Sequence, residues 1–212
     1  MSGFNRLIKN SIANIINGFS NVILGIVIAP FLVSILSEND FSVWSLNLQF
    51  GLFLGLFGVC IQVTVGRFVS EYLATGRKDI IDTLFSSSML LSIGFFVLFL
   101  LLIFAFMNNY SSFVQAGDTK KYESYIYSFL LISLSFLFSM LISSLNGYFI
   151  GVERNDIIAI VNLCSRILLG ICVVLTAQFG VVVMSVCFFC VNLLSFVAIY
   201  ILFRKKCLNG SS

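Results

Sequence analysis

The sequence predicts an all-α integral membrane protein, a six-helix transmembrane bundle, and three observations carry that prediction. Hydrophobic residues make up 59% of the 212 and charged residues only 10%, where a soluble domain carries about 25% charge. Six apolar runs fall at 11–36, 41–65, 83–107, 126–150, 157–178 and 181–203, each long enough to cross a hydrocarbon core ~30 Å thick. Lys and Arg also sort onto alternate connections. Arg6, Lys9, Arg67, Arg77, Lys78, Arg154, Arg204, Lys205 and Lys206 fall on one side, with only Lys120 and Lys121 on the other. A miscounted span would scramble that split. Positive charge collects in the cytoplasm, so both termini are expected there.

The expected organisation is a short N-terminus at 1–10, one transmembrane domain at 11–203 and a tail at 204–212. The first run is too long for a cleavable signal and lacks a small-residue cleavage site, so it is expected to remain as a span. The net charge of +3 reflects the sorting of flanking charges and points to membrane lipids as partners, with no nucleic acid. Trp44, Tyr110, Tyr122, Tyr125 and Tyr127 near one boundary, and Tyr72, Tyr148 and Tyr200 near the other, suggest aromatic belts.

In the first run, Asn10, Asn14, Asn17 and Asn21 repeat at steps of four, three and four, an amide stripe along one helix face. The stripe suits either bonding to neighbouring helices or the lining of a polar path. Pro30, the chain's one proline, cannot donate to Ile26 and is expected to kink the helix as a hinge. The second run places Asn47, Gly51, Gly55, Gly58 and Gln62 on one face, where small residues let another backbone approach closely. Past its end, Arg67 and Glu71 stand at i, i+4 and can pair on a cytoplasmic helical extension that Gly76 ends. The fourth run carries Ser135, Ser139, Ser143 and Asn146-Gly147, a weaker signal because serines can bond back to their own helix.

The fifth run holds Arg166, the one charged residue within any of the six. It is the tenth residue from Ile157, about 14 Å along a helix rising ~1.5 Å per residue, so near mid-membrane. A guanidinium there costs about 2.5–3.5 kcal/mol even on the mildest insertion scale, which something must offset. Asn155, Ala159, Asn162, Arg166, Gly170 and Ala177 share the small, polar face of this helix. No carboxylate lies in any run, so the charge is expected to bond polar groups of other helices, or to meet water or an anion. Arg166, Asn162, Asn14, Asn17 and Asn21 are the candidate substrate-path residues.

No histidine is present, and no nucleophile–base pair, carboxylate pair or phosphate-cradling glycine loop is visible. An enzyme, a metal centre and a bound cofactor are therefore not expected. Cys187 and Cys190 have metal or redox spacing but sit in an apolar run without a second pair, and read as small packing residues.

The order of features, a polar first helix ending in Ala29-Pro30-Phe31-Leu32, then Arg67, Glu71, Gly76 and Asp79 after the second, and a short Gln178-Phe179-Gly180 turn, resembles the amino-terminal half of the polysaccharide (O-antigen) flippases. These belong to the multidrug/oligosaccharidyl-lipid/polysaccharide exporter superfamily, and the resemblance covers nearly the whole chain. It implies one lobe of a two-bundle fold in the bacterial cytoplasmic (inner) membrane, working by alternating access. It implies as substrate a lipid-linked oligosaccharide, the O-antigen or capsule repeat unit on a polyisoprenoid pyrophosphate. A second six-span bundle is then required, as a homodimer or a missing C-terminal half. A non-transporting remnant or structural subunit is the alternative. A drug/cation antiporter lobe is disfavoured by the missing intramembrane carboxylate.

Overall fold

The computed structural model describes residues 26–107, 109–110 and 119–209. Most of the first run, including Asn10, Asn14, Asn17 and Asn21, lies outside them. Helix α1 is described over Ile26–Ile35 and continues past Pro30. It leads through a short turn to α2 (Glu38–Ala74), followed by α3 (Lys78–Met107) and α4 (Thr119–Gly151). Then come α5 (Asn155–Thr176), one 3-10 turn (Ala177–Phe179) and α6 (Val181–Asn209). Five of these helices are long and apolar enough to cross a membrane. Leu52, Val63, Leu90, Leu101, Leu175 and Leu194 are all more than half exposed, the outward apolar surface that lipid requires.

Several helices outrun their apolar segments. At 37 residues, α2 is about 55 Å long, well beyond a ~30 Å core. Ser37 starts it: its hydroxyl accepts from the Asp40 amide at 3.2 Å, and Glu38 and Asp40 stand in the first turn, where the helix dipole favours negative charge. The far end carries Arg67 and Glu71, both exposed, and the two side chains do not close the ion pair that their spacing allows. Gly76, at φ +76°, ends the helix: its amide bonds Leu73 O at 3.3 Å and the Arg77 amide bonds Tyr72 O at 3.0 Å. This paired closure needs a left-handed residue, which glycine supplies without a Cβ penalty. The α4–α5 turn repeats it, with the Glu153 amide on Ile150 O at 3.0 Å and the Arg154 amide on Phe149 O at 2.8 Å. Glu153 takes the left-handed position itself, at φ +56°.

Helix α4 is the hub and packs against α2, α3, α5 and α6, most extensively against α2. Glycines on both helices make that contact close. A Cβ on Gly51 would overlap the Phe136 ring, and one on Gly58 would lie 2.7 Å from Ser143 Oγ. From the other side, a Cβ on Gly147 would sit 2.8 Å from Gln62 O, and one on Gly151 2.9 Å from Gly66 O. Gly55 differs, since a Cβ there would meet Phe136 at an ordinary 3.5 Å.

Hydroxyl and amide bonds pin the helices laterally. Tyr110 donates to Asn47 Oδ1 at 3.0 Å, Asn47 Nδ2 donates to Ser128 at 3.2 Å, and Ser128 and Ser185 share a bond of 2.7 Å. This relay ties α2, α4 and α6 at one end. Burial pushes the Tyr110 phenol up to about 12, so it donates as a neutral group. Ser92 and Ser144 join α3 to α4 at 2.7 Å, and Ser195 and Ser165 join α6 to α5 at 2.6 Å. The expected aromatic belt is corrected here. Trp44, Tyr110 and Tyr125 are 4%, 0% and 3% exposed; their polar tips and rings serve the bundle interior, while Tyr127 and Tyr200 remain at the surface.

Candidate substrate cavity

Helix α5 presents Asn162, Ser165, Arg166 and Leu169 toward α4 and α6. Its i, i+3, i+4, i+7 spacing gathers these four on one face. Arg166 lies eleven residues from the start of α5 and ten from its end, so about 15 Å from either terminus. It is half-buried, and it stands where two cavities meet.

The larger cavity, about 490 Å³, lies toward the end of the bundle that holds Ser37. Ile28, Ala29 and Leu32 of α1, Phe41, Trp44 and Leu48 of α2, Phe136, Val173 and Phe188 give it an apolar, aromatic wall. Trp44 meets Phe188 edge-on with ring centroids 6.1 Å apart, and Phe136 lies 5.8 Å from the same ring. The smaller cavity, about 250 Å³, runs toward the end that holds Gly76 and Glu153. Its wall is the more polar of the two: Ser139, Ser143 and Asn146 from α4, Asn162, Ser165 and Arg166 from α5, and Asn192 and Ser195 from α6 stand among Val59, Ile142, Val191 and Ile199. Arg166, Leu169 and Asn192 belong to both, so the guanidinium marks the passage between an apolar and a polar compartment. Among the described residues, no carboxylate lines either one.

The hydrogen bonds around the polar compartment show what it offers. Ser139 and Ser143 bond back to Phe136 O at 2.7 Å and Ser139 O at 2.9 Å, so their hydroxyl protons are already used. Asn192 Nδ2 donates one N–H to Phe188 O at 2.8 Å, which leaves its carbonyl oxygen and a second N–H to present. Asn146 is 7% exposed, and its Oδ1 is buried without a hydrogen-bond partner.

The structure therefore brings Arg166 and Asn162 together with Asn146 and Asn192. Gly55 lines the same cavity, which accounts for its spare room, whereas Gly51 and Gly58 serve the α2–α4 contact. Pro30 follows Ala29 in α1, beside the apolar compartment. Arg67, Glu71 and Gly76 lie at the far end of α2 and reach neither cavity. Asn192 is the residue that the sequence reading missed: with Ser185 and Ser195 it forms a polar stripe at i−7, i, i+3, diluted by the apolar residues between. Cys60, Cys164, Cys172, Cys187 and Cys190 are free thiols, and no cluster of metal-ligating side chains occurs among the described residues.

Two solved structures share this architecture. An outward-facing conformation of a multidrug resistance MATE family transporter of the MOP superfamily superposes with a TM-score of 0.72 at 15% identity, covering 95% of this chain and 45% of that one. An inward-facing conformation of such a transporter gives a TM-score of 0.64 at 16% identity, covering 84% of this chain and 41% of that one. At such identities the likeness is one of fold, and the chain spans less than half the length of either transporter. No curated protein sequence matches. The MatE family model matches residues 11–176, well over half of the chain and all of the helices through α5. On that match, carried by the same helical architecture, this multi-pass membrane protein belongs to the MatE family and forms one lobe of the MATE transporter fold.

Proposed function

We propose that the chain is the N-terminal lobe of a flippase that moves a polyisoprenoid-pyrophosphate-linked oligosaccharide across the cytoplasmic membrane. One observation supports this above the others: a mid-helix arginine at the junction of an apolar and a more polar cavity, neither lined by a carboxylate among the described residues. A charge at that depth is costly unless it serves something. An anionic phosphate bridge between an apolar tail and a hydroxylated head suits that junction. The positive-inside rule puts the Gly76 and Glu153 turns in the cytoplasm, so the polar compartment faces the side where such a substrate is made. A second six-span bundle, a homodimer partner or a C-terminal half, closes the path, and rocking of the two lobes exposes it alternately.

A second reading, a drug exporter lobe, is favoured by the aromatic wall of the larger cavity, formed by Phe41, Trp44, Phe136 and Phe188. A non-transporting structural subunit is the third.

Rescue of surface polysaccharide in a strain lacking its own flippase, with this chain supplied together with a second lobe, separates the three. The flippase reading expects rescue that Arg166→Leu abolishes and Arg166→Lys partly retains, at equal amounts of folded protein. Drug resistance without rescue supports the exporter lobe; neither phenotype, with normal membrane insertion, supports the structural subunit.

A further inference from the structure

Three amides from three helices, Asn146 of α4, Asn162 of α5 and Asn192 of α6, converge on the 250 Å³ polar cavity beside Arg166. Their hydrogen bonding is lopsided. Asn192 has used one N–H toward Phe188 and keeps its carbonyl and a second N–H to offer. The Asn146 carbonyl oxygen is buried with no partner, an unfavourable state until a donor arrives. The cavity thus joins one strong cationic donor to two amide carbonyls, those of Asn146 and Asn192, with a second Asn192 N–H beside them. Ligands that satisfy both carry a negative group next to several O–H or N–H donors. The volume falls just below the ~300–1,000 Å³ of small-molecule sites, which suits one ring-sized group and not an extended chain. Packing limits any enlargement, since Gly58 and Gly147 already bring α2 and α4 into contact.

We infer that this compartment is a subsite for a single hydroxylated or N-acylated sugar ring joined directly to a phosphate, with Asn146, Asn162 and Asn192 reading the ring and Arg166 the phosphate. The inference rests on the anionic-substrate reading above and adds the residues that set ring specificity. Asn146 is the specificity-determining one, because a ligand donor that satisfies its oxygen removes an existing penalty. A ligand with phosphate but no ring leaves that oxygen unpaired.

Trp44 is the chain's single tryptophan and walls the adjoining cavity, so its fluorescence reports occupancy. The purified chain in nanodiscs is titrated with N-acetylglucosamine 1-phosphate, inorganic phosphate and free N-acetylglucosamine. The sugar phosphate is expected to bind at least tenfold more tightly than either fragment. Asn146→Leu, which removes the buried, unpaired oxygen and puts an apolar group of similar size in its place, is expected to weaken the sugar phosphate roughly tenfold more than inorganic phosphate. Asn162→Leu, at a less buried position, provides a second variant with the same expectation. Equal losses for both ligands, no loss in either variant, or no saturable response to the sugar phosphate overturn the subsite. Phosphate binding that survives Arg166→Gln unchanged overturns instead the anionic reading on which it rests.

Discussion

Replacing Gly147 by alanine tests the α2–α4 contact on which the cavity depends. The added methyl would sit 2.7 Å from Val65 Cβ and 2.8 Å from Gln62 O. Both are closer than ordinary carbon contacts at about 3.5–4.0 Å, and the second is a backbone carbonyl that cannot rotate away. The helices must part by several tenths of an ångström, and overpacking of this kind costs about 1–3 kcal/mol. For a chain of this size each kcal/mol shifts Tm by about 2–4 °C, so a fall of about 2–12 °C is expected. Two glycines serve as controls. Gly55→Ala meets Phe136 at 3.5 Å and is expected to be near neutral. Gly94→Ala meets nothing within 4 Å on α3 and gains helix propensity, up to about 1 kcal/mol. The assay is thermal unfolding in detergent, followed by the fraction eluting as monodisperse protein. A Gly147→Ala protein as stable as Gly94→Ala would refute the packing argument.

Two further substitutions probe other parts of the frame. Glu153→Gly relieves a left-handed residue at φ +56° and is expected to raise stability by about 1 kcal/mol, while Glu153→Val lowers it; the same thermal assay measures both. Asn47→Leu strands the Tyr110 hydroxyl, while Ser128 keeps Ser185, at about 1–3 kcal/mol, and adding Tyr110→Phe is expected to recover part of that loss.

Much of the frame was legible because lipid imposes simple rules. Long apolar runs must become helices, since no water is present to satisfy an open backbone. The Gly51 and Gly58 face announced a close neighbour, and Gly76 announced a stop. Arg166 was legible as a costly charge on a polar face, and the structure places it at a junction of cavities. What stayed hidden depends on partners distant in sequence. Asn192 became a site residue only when α6 packed beside α5. Trp44, Tyr110 and Tyr125 resembled belt residues because composition cannot tell the interior end of a bundle from its lipid rim. The left-handed turn at Glu153 carries no glycine to signal it. The Arg67–Glu71 spacing allowed an ion pair that two exposed, hydrated side chains do not need.

The central claim is that the face bearing Asn162, Arg166 and Asn192 lines an aqueous path and does not meet lipid. Neighbouring residues at the same depth supply the contrast, since Ile160 and Leu194 are 62% and 59% exposed on the apolar side. With the six native cysteines replaced by serine or alanine, single cysteines at positions 160, 162, 192 and 194 are to be labelled in membranes with a charged, water-soluble thiol reagent. Fast labelling at 162 and 192, with 160 and 194 protected, is the expected result. Equal labelling within each pair, or protection of 162 and 192, would contradict the account.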